Sequence, residues 1–396
     1  MGALEYIRQS RLALLLSFAV LVIYAVAKYF LVYDAESEKI DRKLGSLVDI
    51  RTNALKQYFK TLDGEIQFWS RDGTIKLTTQ AFTMSWAELG ENPGDVARKL
   101  YIENNPFERS RYMEYMNAED GSSYSLIHEA IHTRALDFLE KRGYYDLFIV
   151  SNAGDVIYTV VKEDDYGTNL NTGKYKDSGL AKVYREALLL DDDSVAFQDF
   201  SPYAPSYGEP AGFMATPIKD LKNFTLGVLV FQIPTQAIER STNRAADSRV
   251  RDVVTDREEN FIIGDDDRLR SSLPLSKGKF SFFTEVPDFI PDVPEKMELD
   301  RIYRTFGLDY RDEENEYVFQ KTNVLDTQWI FGIKKDTEDL YDRVFAVYFR
   351  WLLFYISVSL FAFLVAYHFI RRRTHQLEVA ESETLDGDSS EEDLLT

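Results

Sequence analysis

The chain has 396 residues, and its 46 Lys and Arg against 66 Asp and Glu give a formal charge of −20. Such acidity argues against a nucleic-acid binder, because that class of protein needs a basic face to displace counterions. The sequence contains no cysteine, which excludes thiolate catalysis, disulfide frameworks and Cys-ligated metal sites. With 45% hydrophobic residues, the chain has the composition of a folded protein with room for two domains.

Two apolar stretches predict transmembrane helices. Residues 12–33 form the first, interrupted only by Lys28 near one end, where a lysine can extend to the membrane surface. Residues 344–370 form the second, interrupted by Arg350. A cleaved signal peptide is the alternative for the first stretch, because Ala-Val-Ala at 25–27 resembles a cleavage site. The apolar run continues past that point, which favours an uncleaved anchor.

Basic residues flank the two stretches, within residues 1–11 and at 371–373. By the positive-inside rule, both termini are then cytoplasmic, and residues 34–343 lie on the periplasmic or extracellular side of a bacterial inner membrane. The tail, residues 371–396, is acidic and rich in Ser and Glu, which predicts disorder. It has no room for a kinase, a cyclase or a methylated coiled coil, so we expect a separate partner protein to supply the output.

A long amphipathic helix is predicted over residues 34–90, at the start of the extracytoplasmic domain. Apolar residues recur there every three or four positions, and Gly45 and Gly64 are the interruptions. The apolar positions are Ile40, Leu44, Leu47, Val48, Leu55, Tyr58, Phe59, Leu62, Ile66 and Trp69. Such a stripe can pack into a core, form a dimer seam, or do both.

The remainder of the domain predicts an α+β fold with two antiparallel-sheet modules. The distal module, about 105–235, has a helical segment at 177–190 between its second and third strands. Its strand candidates are 145–150, 156–161, 195–200, 211–218 and 226–233. The proximal module, about 236–340, has strand candidates at 261–264, 267–270, 317–322 and 329–333, an irregular stretch at 273–307 and a helix at 337–343.

Several separated motifs resemble those of double Cache domains. The run GYYDLFIVSNAGDVIYTVV, followed by FQDFSPYAPSYGEPAGFMATPI and LGVLVFQIP, resembles the membrane-distal module, and YIENNPF and FIIGDDDRLRSSLP resemble its flanks. The likeness covers roughly residues 40–343. Double Cache domains are the extracytoplasmic sensors of methyl-accepting chemotaxis proteins, sensor kinases and transmembrane nucleotide cyclases. The resemblance implies two PAS-like modules along one long helix, and usually a homodimer.

Motifs for enzyme chemistry are weak. His128-Glu129-Ala130-Ile131-His132 matches the H-E-x-x-H pattern of zinc peptidases, but it constrains only three positions, and a zincin needs a third protein ligand. The acidic runs 191–193 and 264–267 lack the alternating oxygen spacing of a calcium loop. No nucleotide-binding loop, nucleophile elbow or dinucleotide fingerprint occurs. We therefore expect that the protein is not an enzyme and that it has no metal site and no cofactor.

A ligand pocket is the expected functional site. In PAS-like modules the ligand lies between the sheet and the loop-helix segment after the second strand, and polar residues there can address it. The candidate ligand-binding residues are Tyr145, Asp146, Tyr175, Asp177, Ser178, Asp199, Ser201, Tyr203 and Gln232. For each of them a capped turn or a satisfied core position is the alternative, and we expect three or four to contact the ligand.

The ligand itself is less defined by the sequence. Amino-acid-binding double Cache domains place an Arg in the loop-helix segment and an Asp at the end of the fifth strand, whereas this chain has no Arg at 175–180 and has Gln232 near the Asp position. Amino acids are therefore expected to be disfavoured. Two functions remain open: a small-ligand sensor that signals through a partner, and a structural or adaptor subunit of a cell-envelope complex.

Overall fold

The computed structural model describes residues 2–191, 194–240, 258–291 and 297–392. Its helices are α1 (Gly2–Arg71), α2 (Gly73–Glu88), α3 (Pro93–Arg98), α4 (Ser123–Arg142), α5 (Gly179–Ala187), α6 (235–240) and α7 (Glu338–Glu392). Its strands are β1 (Asp146–Ser151), β2 (Val156–Thr159), β3 (Ala196–Pro202), β4 (Pro210–Lys219), β5 (Thr225–Ile233), β6 (Glu258–Ile263), β7 (Ile302–Leu308), β8 (Glu314–Val324) and β9 (Thr327–Asp336). The chain divides into two compact units: Met1–Arg42 with Thr337–Thr396, and Lys43–Asp336.

The predicted long helix is confirmed, with one change of boundary. Helix α1 runs through both Gly45 and Gly64 and ends at Arg71, since a single glycine costs a long helix only about 1 kcal/mol. The break falls at Asp72, whose carboxylate accepts hydrogen bonds from the backbone N–H groups of Thr74 and Ile75 at 2.8 and 3.2 Å. An aspartate in that position starts a new helix, and α2 follows.

The apolar stripe of α1 belongs to a core. Leu55, Leu62 and Ile66 are fully buried, and Phe59 packs edge-on against Phe197 of β3 and Trp329 of β9. Burial of these large side chains stabilises the unit by about 1.5–3 kcal/mol for each.

The distal module contains the five predicted strands, in the order β2-β1-β5-β4-β3, all antiparallel. Side chains alternate between the two faces of a strand. In β5, Val230 lies in the apolar core beside α5, and Phe231 packs against Phe138 of α4 on the opposite face. Asp146 lies directly across from Gln232 in the β1–β5 register. The two side chains therefore project from the face that α5 covers.

The proximal module differs from the prediction in two places. Its sheet has the order β6-β9-β8-β7. Residues 267–270 form only isolated bridges, because Asp267 has a φ of 56° that breaks the extended conformation. The stretch expected to be irregular contains β7, an edge strand with alternating exposure. Proline-rich flanks concealed this short edge strand in the sequence.

Among the described residues, one helical segment is long and apolar enough to cross a membrane: Glu338–Phe361, with a mean hydropathy of 1.8. The first predicted span, 12–33, belongs to α1, but the side chains of residues 12–18 lie outside the described set. Helix α7 continues to Glu392, whereas the sequence predicts disorder from residue 371. The arginines and glutamates of this segment are good helix formers. Residues 393–396 lie outside the described chain.

Candidate functional site

The α5 face of the distal sheet carries a buried group of polar side chains at one end of β1 and β5. Asp146, at the start of β1, is 1% exposed. Its carboxylate accepts hydrogen bonds from the hydroxyl of Thr159 and from the backbone N–H groups of Val160 and Val161, the latter two at 2.9 and 3.2 Å. Burial raises the pKa of Asp146 well above its ordinary value, although the Thr159 hydrogen bond opposes that shift.

A chain of hydrogen bonds joins the two strands to the loop after β2. The hydroxyl of Tyr145 donates to Glu163 Oε1 at 2.7 Å, and Ser206 Oγ donates to Glu163 Oε2 at 2.6 Å. Gln232 Nε2 donates in turn to Ser206 Oγ at 3.2 Å. Glu163 therefore has a hydroxyl donor on each carboxylate oxygen.

Asp165 supplies the third carboxyl group of this cluster. Asp165 is fully buried, and the hydroxyl group of Tyr203 donates a hydrogen bond to its Oδ2. Burial raises the pKa of Asp165 to about 7, against the lowering effect of the Tyr203 hydrogen bond. Among the residues that the structure describes, Asp165 Oδ1 and Gln232 Oε1 have no hydrogen-bond donor. We refer to Asp146, Glu163 and Asp165 together as the acidic cluster.

The loop after β2 also carries a buried cation, Lys162, whose ammonium group lies against α4. Lys162 is 1% exposed, and its Nζ lies 3.1 Å from His132 Nε2 and 3.2 Å from the carbonyl oxygen of Val160. Burial lowers the pKa of Lys162 to about 7, while the charge of Asp146 opposes that shift. If all three carboxyl groups were ionised, one lysine would leave two buried negative charges without compensation, which is costly in a protein interior.

The remaining predicted site residues are distributed differently. Tyr175 is buried, Asp177 is exposed, and Ser178 caps α5 by accepting a hydrogen bond from the Ala181 N–H at 3.2 Å. Ser201 is half-buried at the β3–β4 pairing. The structure thus brings Tyr145, Asp146, Tyr203 and Gln232 together around the acidic cluster, and it places Ser178 in a helix cap.

Asp199 belongs to a contact between the two sheets of the second unit. Its carboxylate accepts hydrogen bonds from Arg270 Nε and Nη2 at 3.1 and 2.9 Å, and from Trp329 Nε1 at 2.9 Å. Arg270 is 1% exposed. All of these partners come from the proximal module, so Asp199 has a structural ion pair where the sequence predicted a ligand contact.

The H-E-x-x-H motif lies on α4, against the other face of the distal sheet. His128 Nδ1 lies 2.6 Å from the Met116 carbonyl oxygen, while His132 contacts the Tyr158 hydroxyl and the Met113 carbonyl oxygen. Glu129 accepts a hydrogen bond from Asn117. No group of three His, Asp or Glu side chains within the described segments is placed to hold a metal ion.

The sequence reasoning missed Lys162, Glu163, Asp165 and Ser206. The first three form part of the run Lys-Glu-Asp-Asp at 162–165, directly after a fully buried strand. A polar run in that position is a readable signal, because the start of a loop after a core strand lies at the edge of the same sheet. Ser206 has no such signal, because it reaches the cluster through the turn after β3.

No protein-family model matches the sequence, and no curated protein matches it. Among solved structures, the chain is similar to the ligand-binding domain of the Pseudomonas fluorescens chemoreceptor CtaA with L-serine (11% identity, 76% of this chain and 99% of that one, TM-score 0.43). It is also similar to the Campylobacter jejuni chemoreceptor Tlp3 with L-valine (12% identity, 78% and 98%, TM-score 0.42) and to Mlp24 with asparagine (13% identity, 79% and 98%, TM-score 0.43).

The expectation that amino acids are disfavoured as ligands is contradicted by these structures, which hold serine, valine and asparagine. That expectation considered only the segment 175–180 and the position of Gln232. Charged groups from other parts of the chain reach the same region, as the acidic cluster beside Gln232 shows. Two sequence positions are therefore too few to decide which ligand charges a module of this kind can accept.

Proposed function

We propose that the chain is a membrane-anchored extracytoplasmic sensor whose distal module binds a small molecule with an ammonium group. The observation that carries this proposal is Asp165 Oδ1, a fully buried carboxyl oxygen without a hydrogen-bond donor among the described residues. An unsatisfied buried acceptor is expensive, and a positively charged N–H donor would satisfy it. Gln232 Oε1 is a second acceptor without a described donor, and the Gln232 side chain is hydrogen-bonded through Ser206 to Glu163 of the acidic cluster.

The charge of the acidic cluster supports a cationic ligand group. Asp146, Glu163 and Asp165 are all buried, whereas the buried ammonium group of Lys162 lies against His132 of α4 and the Val160 carbonyl oxygen. An incoming ammonium group adds the positive charge that this region lacks, and burial strengthens the attraction because little water screens it. Free amino acids carry such a group, as do simple amines.

Membrane anchoring forms the second part of the proposal. The apolar segment Glu338–Phe361 supports one span, and the uncharged run of 12–27 within α1 supports a second. Basic residues flanking both spans favour cytoplasmic ends, which leaves Lys43–Asp336 outside the cytoplasm. Alkaline extraction of membranes and cysteine accessibility at position 2 and at the fully exposed position of Leu221 would test this topology, with protection at the first and labelling at the second expected.

The ligand proposal can be tested with the purified full chain in detergent micelles. We expect at least one of L-serine, L-valine, L-leucine, L-asparagine, L-arginine and 4-aminobutyrate to raise the melting temperature, since ligand at 100 times Kd adds about 2.7 kcal/mol of stability. The N-acetylated form of the same compound should have no effect, because the amide removes the charge of the amino group. L-Arginine is left out of this comparison, since its guanidinium group stays charged.

Two variants make this test specific to the cluster. Asp165→Asn should abolish the stabilisation, whereas Asp164→Asn should preserve it, because Asp164 is an exposed neighbour paired with Arg109. Equal stabilisation by free and N-acetylated compounds, or none by any amine in the panel, would overturn the ammonium site. The second result would favour an adaptor role for the fold.

A further inference from the structure

A groove lies between α1 and α7 in the unit that contains the chain ends. Its volume is about 550 Å³, within the range of small-molecule sites. Lys28, Tyr348 and Trp351 line one end of it, and Val22, Ile356 and Ser359 line the other. The Lys28 ammonium lies 4.8 Å from the centroid of the Trp351 ring, a cation–π contact that fixes the cation at the aromatic end.

The positive charge in this groove faces no opposite charge among the described side chains. Lys28 has no acidic partner among the described side chains, and neither residues 6–33 nor residues 343–377 contain an Asp or a Glu. Arg350, an exposed residue one position before Trp351, adds a second cation on α7. Ionisable groups within membrane segments are costly unless an opposite charge or water reaches them. An anion from outside the chain would complete the site.

We propose that this groove binds one anionic phospholipid. Its phosphate would contact Lys28, and an acyl chain would lie along Val22 and Ile356. The proposal rests on the membrane anchoring proposed above. If residues 12–33 and 344–370 span the bilayer, the aromatic end lies near the outer interface and the apolar end lies deeper. Val22 precedes Lys28 in α1 by six residues, which is about 9 Å along the helix axis. The groove thus matches the polarity of a phospholipid from headgroup to chain.

A second copy of the chain fits the groove less well than a lipid. A twofold contact through this face would bring two Lys28 ammonium groups towards each other in a region of low dielectric constant, where like charges repel strongly. An anionic headgroup instead neutralises the lysine, and Tyr348 and Trp351 are side chains that favour the headgroup region. The charge and the aromatic residues of the groove therefore favour an anionic lipid over a second copy of the chain.

The full chain in nanodiscs of phosphatidylethanolamine and phosphatidylglycerol provides the test. After release into mild detergent, native mass spectrometry should find one retained phosphatidylglycerol per chain. Lys28→Met should reduce the preference for phosphatidylglycerol about fivefold, the effect expected for one basic residue at an anionic lipid surface. Lys28→Arg should keep it. Lys39→Met is the matched control, because Lys39 is paired with Glu36 on the same helix.

The alternatives give different results. Equal lipid retention by the Lys28→Met and Lys39→Met variants would overturn the site, and so would a photoreactive group at position 351 that crosslinks to another protein chain instead of lipid. A Lys28→Met variant with an unchanged melting temperature shows that lost retention is not caused by misfolding. Failure of the wild type to enter nanodiscs would refute the anchoring, whereas entry without selective retention would refute only the lipid site.

Discussion

The Asp165 carboxyl group is buried with one oxygen bound by Tyr203 and the other without a described donor. Its pKa is raised to about 7 from an ordinary value of 3.8. Between these two pH values the folded state holds a proton that the unfolded state has released. The contribution of Asp165 to the free energy of unfolding of the ligand-free protein should therefore be most favourable below pH 4. It should decline as the pH rises towards 7.

Replacing Asp165 by Asn should remove that decline. The amide resembles the protonated carboxyl group and does not ionise, so Asp165→Asn should stabilise the ligand-free protein above pH 7, by on the order of 2–4 kcal/mol. Melting temperatures of the full chain at pH 4 to 8 would measure the difference, with Asp164→Asn as the control. Parallel pH profiles for Asp165→Asn and wild type would show that Asp165 is already ionised in the folded protein.

Asp199 and Arg270 form a second buried charged contact, in which Arg270 also pairs with the partly exposed Asp266 at 2.9 Å. Two N–H groups of Arg270 and the indole N–H of Trp329 surround the carboxylate. Arg270→Met would leave Asp199 buried without its counterion, and such a change typically costs about 3–5 kcal/mol.

The neighbouring Arg268 provides the comparison for this ion pair. It pairs with Glu285, which is 80% exposed, and an exposed pair contributes only about 0–1 kcal/mol. Thermal unfolding of the full chain should therefore show a large decrease for Arg270→Met and a small one for Arg268→Met. Similar decreases for the two variants would contradict a special role for the buried pair.

At the level of helices, α3 and the loop after β2 approach each other through two glycines. A Cβ atom on Gly94 would lie 2.1 Å from the carbonyl oxygen of Gly167, so Gly94→Ala requires the two segments to separate. We expect a loss of about 1–3 kcal/mol, the usual cost of overpacking. The same loop contains the acidic cluster residues Glu163 and Asp165, so ligand binding should weaken as well.

Gly64→Ala is the matched substitution on another helix. Gly64 lies inside α1 with open space around its Cβ position, and alanine there should stabilise the protein by about 0.5–1 kcal/mol. Opposite shifts of the melting temperature are expected for Gly94→Ala and Gly64→Ala. A stabilising Gly94→Ala would mean that α3 does not pack closely on the loop in solution.

Across the second unit, β3 and the residue after it contact both modules. Tyr203 follows β3 and reaches the acidic cluster, and Asp199 within β3 binds Arg270 of the proximal module. A ligand that pairs with Asp165 acts on one end of this segment. The short distance along the chain, four residues, gives a direct physical link from the distal site to the proximal sheet.

The sequence was sufficient for the order of helices and strands, because periodicities of two and of three to four residues are local properties. All five distal strands, the long helix and the apolar segment of α7 follow from it. It was also sufficient to place Asp146 and Gln232 at strand ends on one sheet, where they face each other. Edge strand β7 was missed, although its partner β8 follows it after a short loop, because the stretch that leads into it is rich in proline and phenylalanine.

The roles of individual polar residues depended on contacts that no local pattern contains. Asp199 became an ion-pair partner because Arg270 and Trp329, 71 and 130 positions away, converge on it. Asp165 became a candidate ligand contact because burial left one of its oxygens without a donor in the described structure. Composition and periodicity fix which segments become buried, but the fate of a buried charge depends on which distant side chains meet it, and that is set when the sheets and helices pack together.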